Sequence, residues 1–436
     1  MKIHKTSVVL MNAAVRVLDN PALAKAIETS ETAIPVFVFT DREFQGYTKF
    51  GFPKTNYYRL KFLLESLEQL QKALEKLHLP LVFLYGDFVN CFVKLQKEIS
   101  FTAFFWNEIL GEEERIEIEK LLTFFDSLEI QYSSFESNSL FETKDLPFEI
   151  YKLPDVFTEF RKKIEASLLP KKPIPTPNPI SSKDKLEIPQ NPIPKASDFS
   201  HASNFFTETS KHAQVFPGGE ENALLRLEEY FWKTKSVLEY KETRNGMIAK
   251  NDSTKFSPYL ANGCISPRTI YWELQKFESQ HGANESTYWV YFELLWREYF
   301  RLFYKKYKSK IFQAKGTSKK TKTQKLDLEI FDSWRFGKTK EPFVNACMNE
   351  LRLSGFLSNR GRQNVASYLV HDLEQDWRSG ASWFESMLVD FDVTSNYGNW
   401  CYVAGVGADP RNRKFNIQKQ QNDYDPKGDY TNLWLN

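Results

Sequence analysis

The chain has 436 residues, of which 42% are hydrophobic and 26% charged, with a net charge of +2. These values fit a folded protein of about two to four domains and exclude wholesale disorder. The four cysteines form no CxxC pair and the six histidines do not cluster, so neither a disulfide framework nor a metal site is expected. No apolar run reaches the roughly 18 residues of a membrane span, and we expect a cytoplasmic protein.

Short apolar runs alternate with helical patterns through the first 135 residues. The patterns predict a strand at the N-terminus, further strands at 33–39, 79–87, 101–106 and 128–135, and helices at 58–79, 89–99 and 112–128. Strands and helices that alternate at this spacing predict a doubly wound parallel sheet. We therefore expect an α/β domain over residues 1–135.

A proline-rich segment separates this region from a different pattern. Residues 170–195 are dense in proline, so we assign residues 136–215 to a linker between domains. From residue 216 onward helical patterns follow one another without a strand-like run, which predicts an all-α domain over residues 216–436. Gly355 and Gly380 follow helical runs and are expected to end helices.

Aromatic residues and positive charge are both enriched. Aromatic residues make up 15% of the chain, with ten tryptophans, and such side chains either fill cores or stack on flat ligands and bases. Residues 1–200 carry a net charge of −3 and residues 201–436 a net charge of +5. Segment 301–340 alone has 13 basic and three acidic residues. It would attract a polyanion such as nucleic acid, although a solvated loop without a partner fits the same pattern.

The segment 253–268 contains a possible anion site. Ser253, Thr254 and Ser257 precede Pro258, which is typical of a helix start with free N–H groups. Such a helix start can bind a phosphate. An ordinary helix cap explains the same residues.

The segment 293–301 places polar and aromatic groups on one helix face. Glu293, Trp296 and Arg297 are three and four residues apart, so their side chains are neighbours. They either line a pocket for a flat polar ligand or form a core tryptophan beside an intrahelical ion pair.

Two further segments carry arginines and aspartates. Asn359, Arg360 and Arg362 precede a predicted helix, and two adjacent arginines suit an anion or a buried carboxylate. Asp390 and Asp392 lie beside turn-forming residues, where they could bind metal, act as acid and base, or pair with arginine. Because other metal ligands are scarce, we favour the arginine pairing.

In this order, the segments resemble the FAD-binding helical domain of the photolyase/cryptochrome family, and most of all that of the DASH cryptochromes. The resemblance covers residues 216–436 and rests on YKETRNG, STKFSPYLANGCISPR, ELLWREYF, SNYGNW, AGVGADPRNRKFN and the run at 355–385. It implies an α/β N-terminal antenna domain, with a doubly wound parallel sheet, and an all-α C-terminal FAD-binding catalytic domain.

The resemblance implies FAD bound in a U shape. The matching positions that would hold its phosphates and nearby groups are Tyr240, Ser253, Thr254, Lys255, Phe256, Ser257 and Arg297. Those that would surround the isoalloxazine and ribose are Asn359, Arg362, Asp390 and Asp392, with Asn396 at flavin N5. A helix N-terminus near the pyrophosphate is consistent with the charge of the phosphates.

The resemblance also implies a second chromophore. WNEILGEEER at 106–115 is similar to the folate-antenna stretch, in which Asn107 and Glu108 would hydrogen-bond the pterin of 5,10-methenyltetrahydrofolate. An empty antenna site is the alternative. The end of the first strand departs from the family pattern and keeps only Arg16, Asp19 and Asn20.

The implied reaction is light-driven repair of DNA. Excited reduced FAD gives one electron to a cyclobutane pyrimidine dimer, whose bases are flipped out of the stack. Glu293 would hydrogen-bond the dimer and Trp296 would stack on it, with Asn359 alongside. Gln363 and Tyr402 match the DASH pattern rather than that of duplex-repairing photolyases. We therefore expect a monomer that acts on dimers in single-stranded or locally unpaired DNA.

Two other functions remain open at this point. One is a blue-light photoreceptor whose flavin redox state changes its partners, with little or no repair. The other is a flavoprotein that binds nucleic acid without photochemistry.

Flavin photoreduction in the family runs along three tryptophans. Trp400 and Trp377 match the first two. The third would fall near Gln324, where the sequence has no tryptophan, and Trp334 matches a structural tryptophan of the family. The resemblance thus implies an electron-transfer chain that is either broken or rerouted through a tyrosine or phenylalanine.

Overall fold

The computed structural model describes residues 3–180, 192–199, 210–318, 325–408 and 414–436. Its N-terminal part contains a sheet of five parallel strands in the order β3-β2-β1-β4-β5. The strands are β1 (His4–Leu10), β2 (Ser30–Thr40), β3 (Val82–Gly86), β4 (Ala103–Asn107) and β5 (Gln131–Phe135). The sequence prediction of a parallel sheet is confirmed.

Helices cover both faces of this sheet, because its central strands are apolar on both sides. Val9, Phe37 and Phe105 pack in one core, whereas Val8 and Phe104 pack in a second core on the other face. The helices of this part are α1 (Pro21–Thr29), α2 (Asp41–Phe44), α3 (Tyr57–Glu75), α4 (Phe88–Ile99) and α5 (Glu112–Asp126).

The rest of the described chain is helical, and no strand follows β5 within the described residues. The helices are α6 (Phe157–Ser167), α7 (Glu220–Glu228), α8 (Tyr240–Thr243), α9 (Ser257–Ala261), α10 (Pro267–His281), α11 (Glu285–Tyr307), α12 (Leu328–Arg335), α13 (Pro342–Ser354), α14 (Asn359–Ser367), α15 (Trp377–Met387), α16 (Val393–Val403), α17 (Ile417–Tyr424) and α18 (Asp429–Leu435). An all-α second part is thereby confirmed. Residues 181–191 of the proline-rich segment lie outside the described residues.

The two glycines expected to end helices behave differently. Gly355 ends α13 in the left-handed conformation with φ of 70°, as predicted. The prediction for Gly380 is wrong, because this residue lies inside α15. A side chain there would collide with the buried rings and methyl groups of Trp400 and Leu369, so glycine serves close packing rather than termination.

Buried charged residues join the two parts of the chain. Asp19 accepts hydrogen bonds from Nε and Nη2 of Arg268 at 2.9 and 2.8 Å, and both side chains are almost fully buried. Arg16 donates to the backbone oxygens of Ser137 and Gly263 at 3.1 and 2.8 Å. Arg16 and Asp19, which lie between β1 and α1 and match the family pattern, therefore hold the sheet domain against the helical domain.

Candidate functional site

A cavity of about 450 Å³ lies inside the helical domain. Its size falls within the range of about 300–1,000 Å³ that is typical of cofactor and ligand pockets. Most of the residues predicted to bind the cofactor or to act in the reaction line it, namely Tyr240, Ser253, Thr254, Lys255, Phe256, Ser257, Glu293, Asn359, Arg362, Gln363, Asp390, Asp392, Asn396, Trp400 and Tyr402. Arg297, Trp296 and Trp377 do not line it.

Arg226 orders the loop that forms one wall of the cavity. Its guanidinium donates to the backbone oxygens of Thr254, Ser253 and Lys250 at 3.0, 3.1 and 3.3 Å. The buried Arg226 guanidinium thus binds three carbonyl oxygens. These oxygens would otherwise repel an anion that binds in the cavity. Arg226 was not predicted from the sequence, because there it is one charged residue among several on an amphipathic helix.

Lys255 brings a buried positive charge to the same wall. Lys255 is 6% exposed, and its backbone φ is 56°. Its Nζ lies 4.9 Å from the centre of the Phe356 ring. Burial lowers the pKa of the Lys255 ammonium, because a charged group is disfavoured away from water. An anion bound in the cavity would relieve that cost, so this wall suits phosphate groups.

The two predicted helix starts of segment 253–268 have different surroundings. Ser266 is an ordinary cap of α10, since its Oγ accepts a hydrogen bond from the backbone N–H of Thr269 at 3.0 Å. Ser257 begins α9 beside the cavity, and no side chain caps that helix. The hydroxyls that precede α9 are available to a ligand.

An arginine–aspartate pair lies on another wall. Nη2 of Arg362 donates to both oxygens of Asp390 at 2.9 and 2.8 Å, and the Asp390 side chain is 1% exposed. This is the pairing that the sequence analysis favoured over metal. Arg360 instead donates to Oδ1 of Asn245 at 3.1 Å and lies over the Tyr424 ring.

Asp392 and Asn396 are fixed at the start of α16. Oδ1 of Asp392 accepts hydrogen bonds from the backbone N–H of Ser395 and the hydroxyl of Thr394 at 2.7 and 2.8 Å. Burial opposes ionisation, but Arg297 and these bonds lower the pKa of the Asp392 carboxyl. Nδ2 of Asn396 donates to the backbone oxygen of Ala381 at 3.0 Å. The amide oxygen of Asn396 remains for a ligand.

Glu293 lines the cavity beside a guanidinium. Its Oε1 accepts a hydrogen bond from Nη1 of Arg244 at 2.7 Å. Burial raises the pKa of the Glu293 carboxyl by more than the nearby Arg244 lowers it. Glu293 is therefore more readily protonated than an ordinary glutamate, and a protonated carboxyl can donate a hydrogen bond to a carbonyl oxygen.

Trp296 has one face covered. Its indole stacks on Phe157 with 3.7 Å between ring centroids and 11° between planes. The edge of Tyr402, which lines the cavity, lies 5.8 Å away at 72°. Because Phe157 is buried in the core, its ring holds the half-buried indole of Trp296 in a fixed orientation.

The two predicted electron-transfer tryptophans are both buried. Trp400 lines the cavity and lies 5.1 Å from Phe384 and 6.3 Å from Trp334, as measured between ring centroids. Trp377 does not line it, and its Nε1 donates to the backbone oxygen of Ala314 at 3.0 Å.

A second cavity, of about 440 Å³, lies between the domains. Asn12 and Glu108, which follow β1 and β4, line it, so it occupies the carboxyl ends of these strands, where α/β sheets bind ligands. Arg297 lines this cavity rather than the first, and its Nη1 donates to the backbone oxygen of Asn138 at 2.7 Å. Asn107 does not line it, because its Nδ2 donates to Oδ1 of Asn20 at 2.9 Å.

Part of the basic segment 301–340 turns inward. Nζ of Lys305 lies 2.8 Å from Glu108, with Arg301 on the same carboxylate at 3.7 Å. Lys306 pairs with Asp155 at 2.6 Å. These three cations join α11 to the end of β4 and to the residues just before α6. Residues 319–324 of the segment lie outside the described residues.

Within the described ranges, no helix combines the length and the apolar composition of a membrane span. Within the same ranges, no three His, Cys, Asp or Glu side chains are grouped so as to hold a metal ion.

Comparison with known proteins agrees with the two-part architecture. Residues 7–179 match the family described as DNA photolyase, and residues 289–436 match the FAD binding domain of DNA photolyase. The chain therefore carries the two parts of a photolyase-type flavoprotein.

Individual proteins similar to this chain define its position among the photolyase-type flavoproteins more closely. Cryptochrome DASH of Danio rerio is 44% identical over 100% of this chain and 84% of the relative, and that of Gloeobacter violaceus is 41% identical over 99% and 85%. The crystal structure of a Synechocystis cryptochrome has a TM-score of 0.92 and 38% identity, covering 100% of this chain and 89% of that one. A class III photolyase from Agrobacterium tumefaciens has a TM-score of 0.83 and 26% identity, covering 100% and 87%. The chain belongs to the photolyase/cryptochrome family and is similar to DASH cryptochromes over its full length.

The cavity fits the FAD that this family binds. The buried Lys255, the hydroxyls before α9 and the loop ordered by Arg226 suit phosphates, whereas Asp390, Arg362 and Asn396 offer both acceptors and donors to a flavin edge. When bound, FAD supplies light absorption and one-electron transfer.

Proposed function

We propose that the protein is a light-driven lyase that splits cyclobutane pyrimidine dimers in single-stranded DNA, using reduced FAD. The observation that supports this proposal most is the placement of Glu293, a carboxyl of raised pKa, in the wall of the cavity whose residues suit FAD. A carbonyl oxygen of a pyrimidine dimer gains negative charge on one-electron reduction, and a protonated carboxyl at hydrogen-bond distance stabilises that charge.

Groups around Glu293 suit a flipped-out dimer of two adjacent bases. Asn359, Gln363 and Tyr402 line the same cavity, and the half-buried Trp296 lies beside Tyr402. Aromatic faces stack on bases with little regard to sequence, which suits a lesion defined by its geometry. The proposed role of the chain is to bind and orient the dimer and to exclude water around it.

Single-stranded DNA is the proposed substrate because unstacking is least costly there. Three basic residues of the segment 301–340, Arg301, Lys305 and Lys306, form ion pairs within the protein. Fewer cations of this segment therefore remain to bind a duplex backbone. The four cysteines are buried and unpaired, which suits the reducing cytoplasm where we propose that the protein acts, as a monomer.

Illumination of purified protein with chemically reduced flavin tests this proposal. The substrates are one dimer-containing oligonucleotide, offered as a single strand and, separately, annealed to its complement. We expect loss of the dimer on the single strand and slower or no loss on the duplex. Absence of dimer loss on the single strand would refute the lyase and favour a photoreceptor without repair.

We also propose that the cavity between the domains holds a 5,10-methenyltetrahydrofolate antenna. Glu108 lines this cavity at the carboxyl end of β4, where its carboxylate would hydrogen-bond the pterin, whereas Asn107 does not line it. Titration of folate-free protein with the folate measures binding. We expect Glu108→Gln to weaken it, and equal binding by this variant would remove Glu108 from the site.

A further inference from the structure

The electron-transfer chain lacks its outer tryptophan in the sequence. No tryptophan occurs between Trp296 and Trp334, which spans the position where the family pattern has the third one. Electrons that leave Trp377 therefore need another donor to replace them.

Tyr397 is in ring contact with Trp377. The two ring centroids are 6.4 Å apart, with 76° between the planes. Tyr397 also contacts Phe312 and lines the cavity between the domains. An oxidisable side chain thus connects the buried Trp377 to a second cavity.

The hydroxyl of Tyr397 has a base as its partner. It donates to Oε2 of Glu385 at 2.9 Å, and Nζ of Lys54 lies 4.0 Å from the other oxygen of that carboxylate. A tyrosine loses an electron far more easily when its proton can leave at the same time. A carboxylate at hydrogen-bond distance is positioned to take that proton. Burial raises the pKa of the Glu385 carboxyl, which makes it a better proton acceptor than an exposed glutamate.

We infer that Tyr397 is the terminal electron donor of flavin photoreduction and takes the place of the missing tryptophan. The inference rests on the photoreduction route that the family resemblance implies, in which Trp400 would give one electron to the photoexcited oxidised flavin and Trp377 would then give one electron to Trp400. The Trp377 cation radical then takes one electron from Tyr397, while the phenolic proton moves to Glu385. The products are neutral Trp377, a neutral tyrosyl radical and a protonated carboxyl.

Trp334 is a poorer terminus, although it also lies near Trp400. It is fully buried, and its Nε1–H donates to the backbone oxygen of Val365 at 3.0 Å. A carbonyl of the backbone cannot take up a proton at ordinary pH, so an oxidised Trp334 would keep its charge and recombine.

Time-resolved electron paramagnetic resonance after a light flash on the FAD-loaded protein tests the inference. We expect a tyrosyl radical in the unmodified protein, its loss in Tyr397→Phe, and its delayed formation in Glu385→Gln. The matched control is Tyr288→Phe, because the Tyr288 hydroxyl also donates to a glutamate, Glu165, at 2.7 Å. The control is expected to keep the signal.

Persistence of the tyrosyl signal in Tyr397→Phe, or its absence from the unmodified protein, would overturn the inference. Flavin content and thermal denaturation of each variant show whether a lost signal reflects misfolding, and a folded Glu385→Gln variant provides the second test. Dimer repair by chemically reduced protein is measured separately. A failure there refutes the lyase, whereas the radical measurement still decides the role of Tyr397.

Discussion

Replacement of Gly380 by alanine tests how tightly the first electron-transfer tryptophan is packed. A Cβ at this position would lie 2.6 Å from Cδ2 of Leu369 and 2.7 Å from Cζ3 of Trp400, and closer still to Cη2 of that ring. Trp400 is 2% exposed and Leu369 is fully buried, so neither side chain can move aside freely. The indole would have to shift within the wall of the FAD cavity.

Two opposing contributions give the expected size of the effect. Overpacking of a core costs about 1–3 kcal/mol, whereas alanine in a helix interior is favoured over glycine by about 0.8–1 kcal/mol. We therefore expect Gly380→Ala to lower the free energy of unfolding by about 0–2 kcal/mol. In a Trp400→Phe background the colliding ring atoms are absent and only the contact with Cδ2 of Leu369 remains, so alanine is expected to cost less stability there.

Urea denaturation of the four proteins in this double-mutant cycle measures the difference. The expected coupling between the two positions is about 1–3 kcal/mol, within the range for residues in contact. An equal effect of Gly380→Ala in both backgrounds would show that Trp400 is not what excludes a side chain there, and would refute the reasoning.

Three further predictions concern charged groups. Glu293→Gln is expected to slow dimer cleavage without loss of FAD. Cleavage by the unmodified protein should fall as pH rises through the raised pKa of Glu293, whereas a similar fall in the variant would contradict this role. Burial raises the pKa of Glu350 to about 7, so the folded state keeps a proton that the unfolded chain releases, and stability falls as pH rises towards about 7. Glu350→Gln should remove this fall, as measured by urea denaturation at about pH 5 and about pH 8. Arg362→Ala leaves the buried Asp390 carboxylate unpaired and should cost about 3–5 kcal/mol of unfolding free energy, and a loss below about 1 kcal/mol would contradict the pairing.

Much of the fold could be predicted because local patterns of apolar and polar residues determine the strands and helices. The apolar runs of the first 135 residues became five parallel strands, and the leucine-faced segment at 58–79 became α3. The prediction of one helix end, at Gly380, failed because only tertiary packing against Trp400 shows why glycine is needed there. No local signal distinguishes that use of glycine from a helix cap.

The parts of the candidate site that could be predicted are those that several neighbouring residues of one segment form. The segments around Ser257 and Asn359 do line the cavity. Arg297 follows Trp296 directly along α11, and sequence spacing could not show that it faces the cavity between the domains. Arg226 was missed for the same reason, since its carbonyl partners lie about 25 residues further along the chain.

The buried pair of Asp19 and Arg268 has a consequence for how the protein unfolds. Separation of the sheet domain from the helical domain would leave the Asp19 carboxylate and the Arg268 guanidinium without partners. Both groups are buried in the interface between the domains. Neither domain can then melt without destabilising the other. We expect a single cooperative thermal transition, and we expect that a chain cut in the linker would not yield two independently stable proteins.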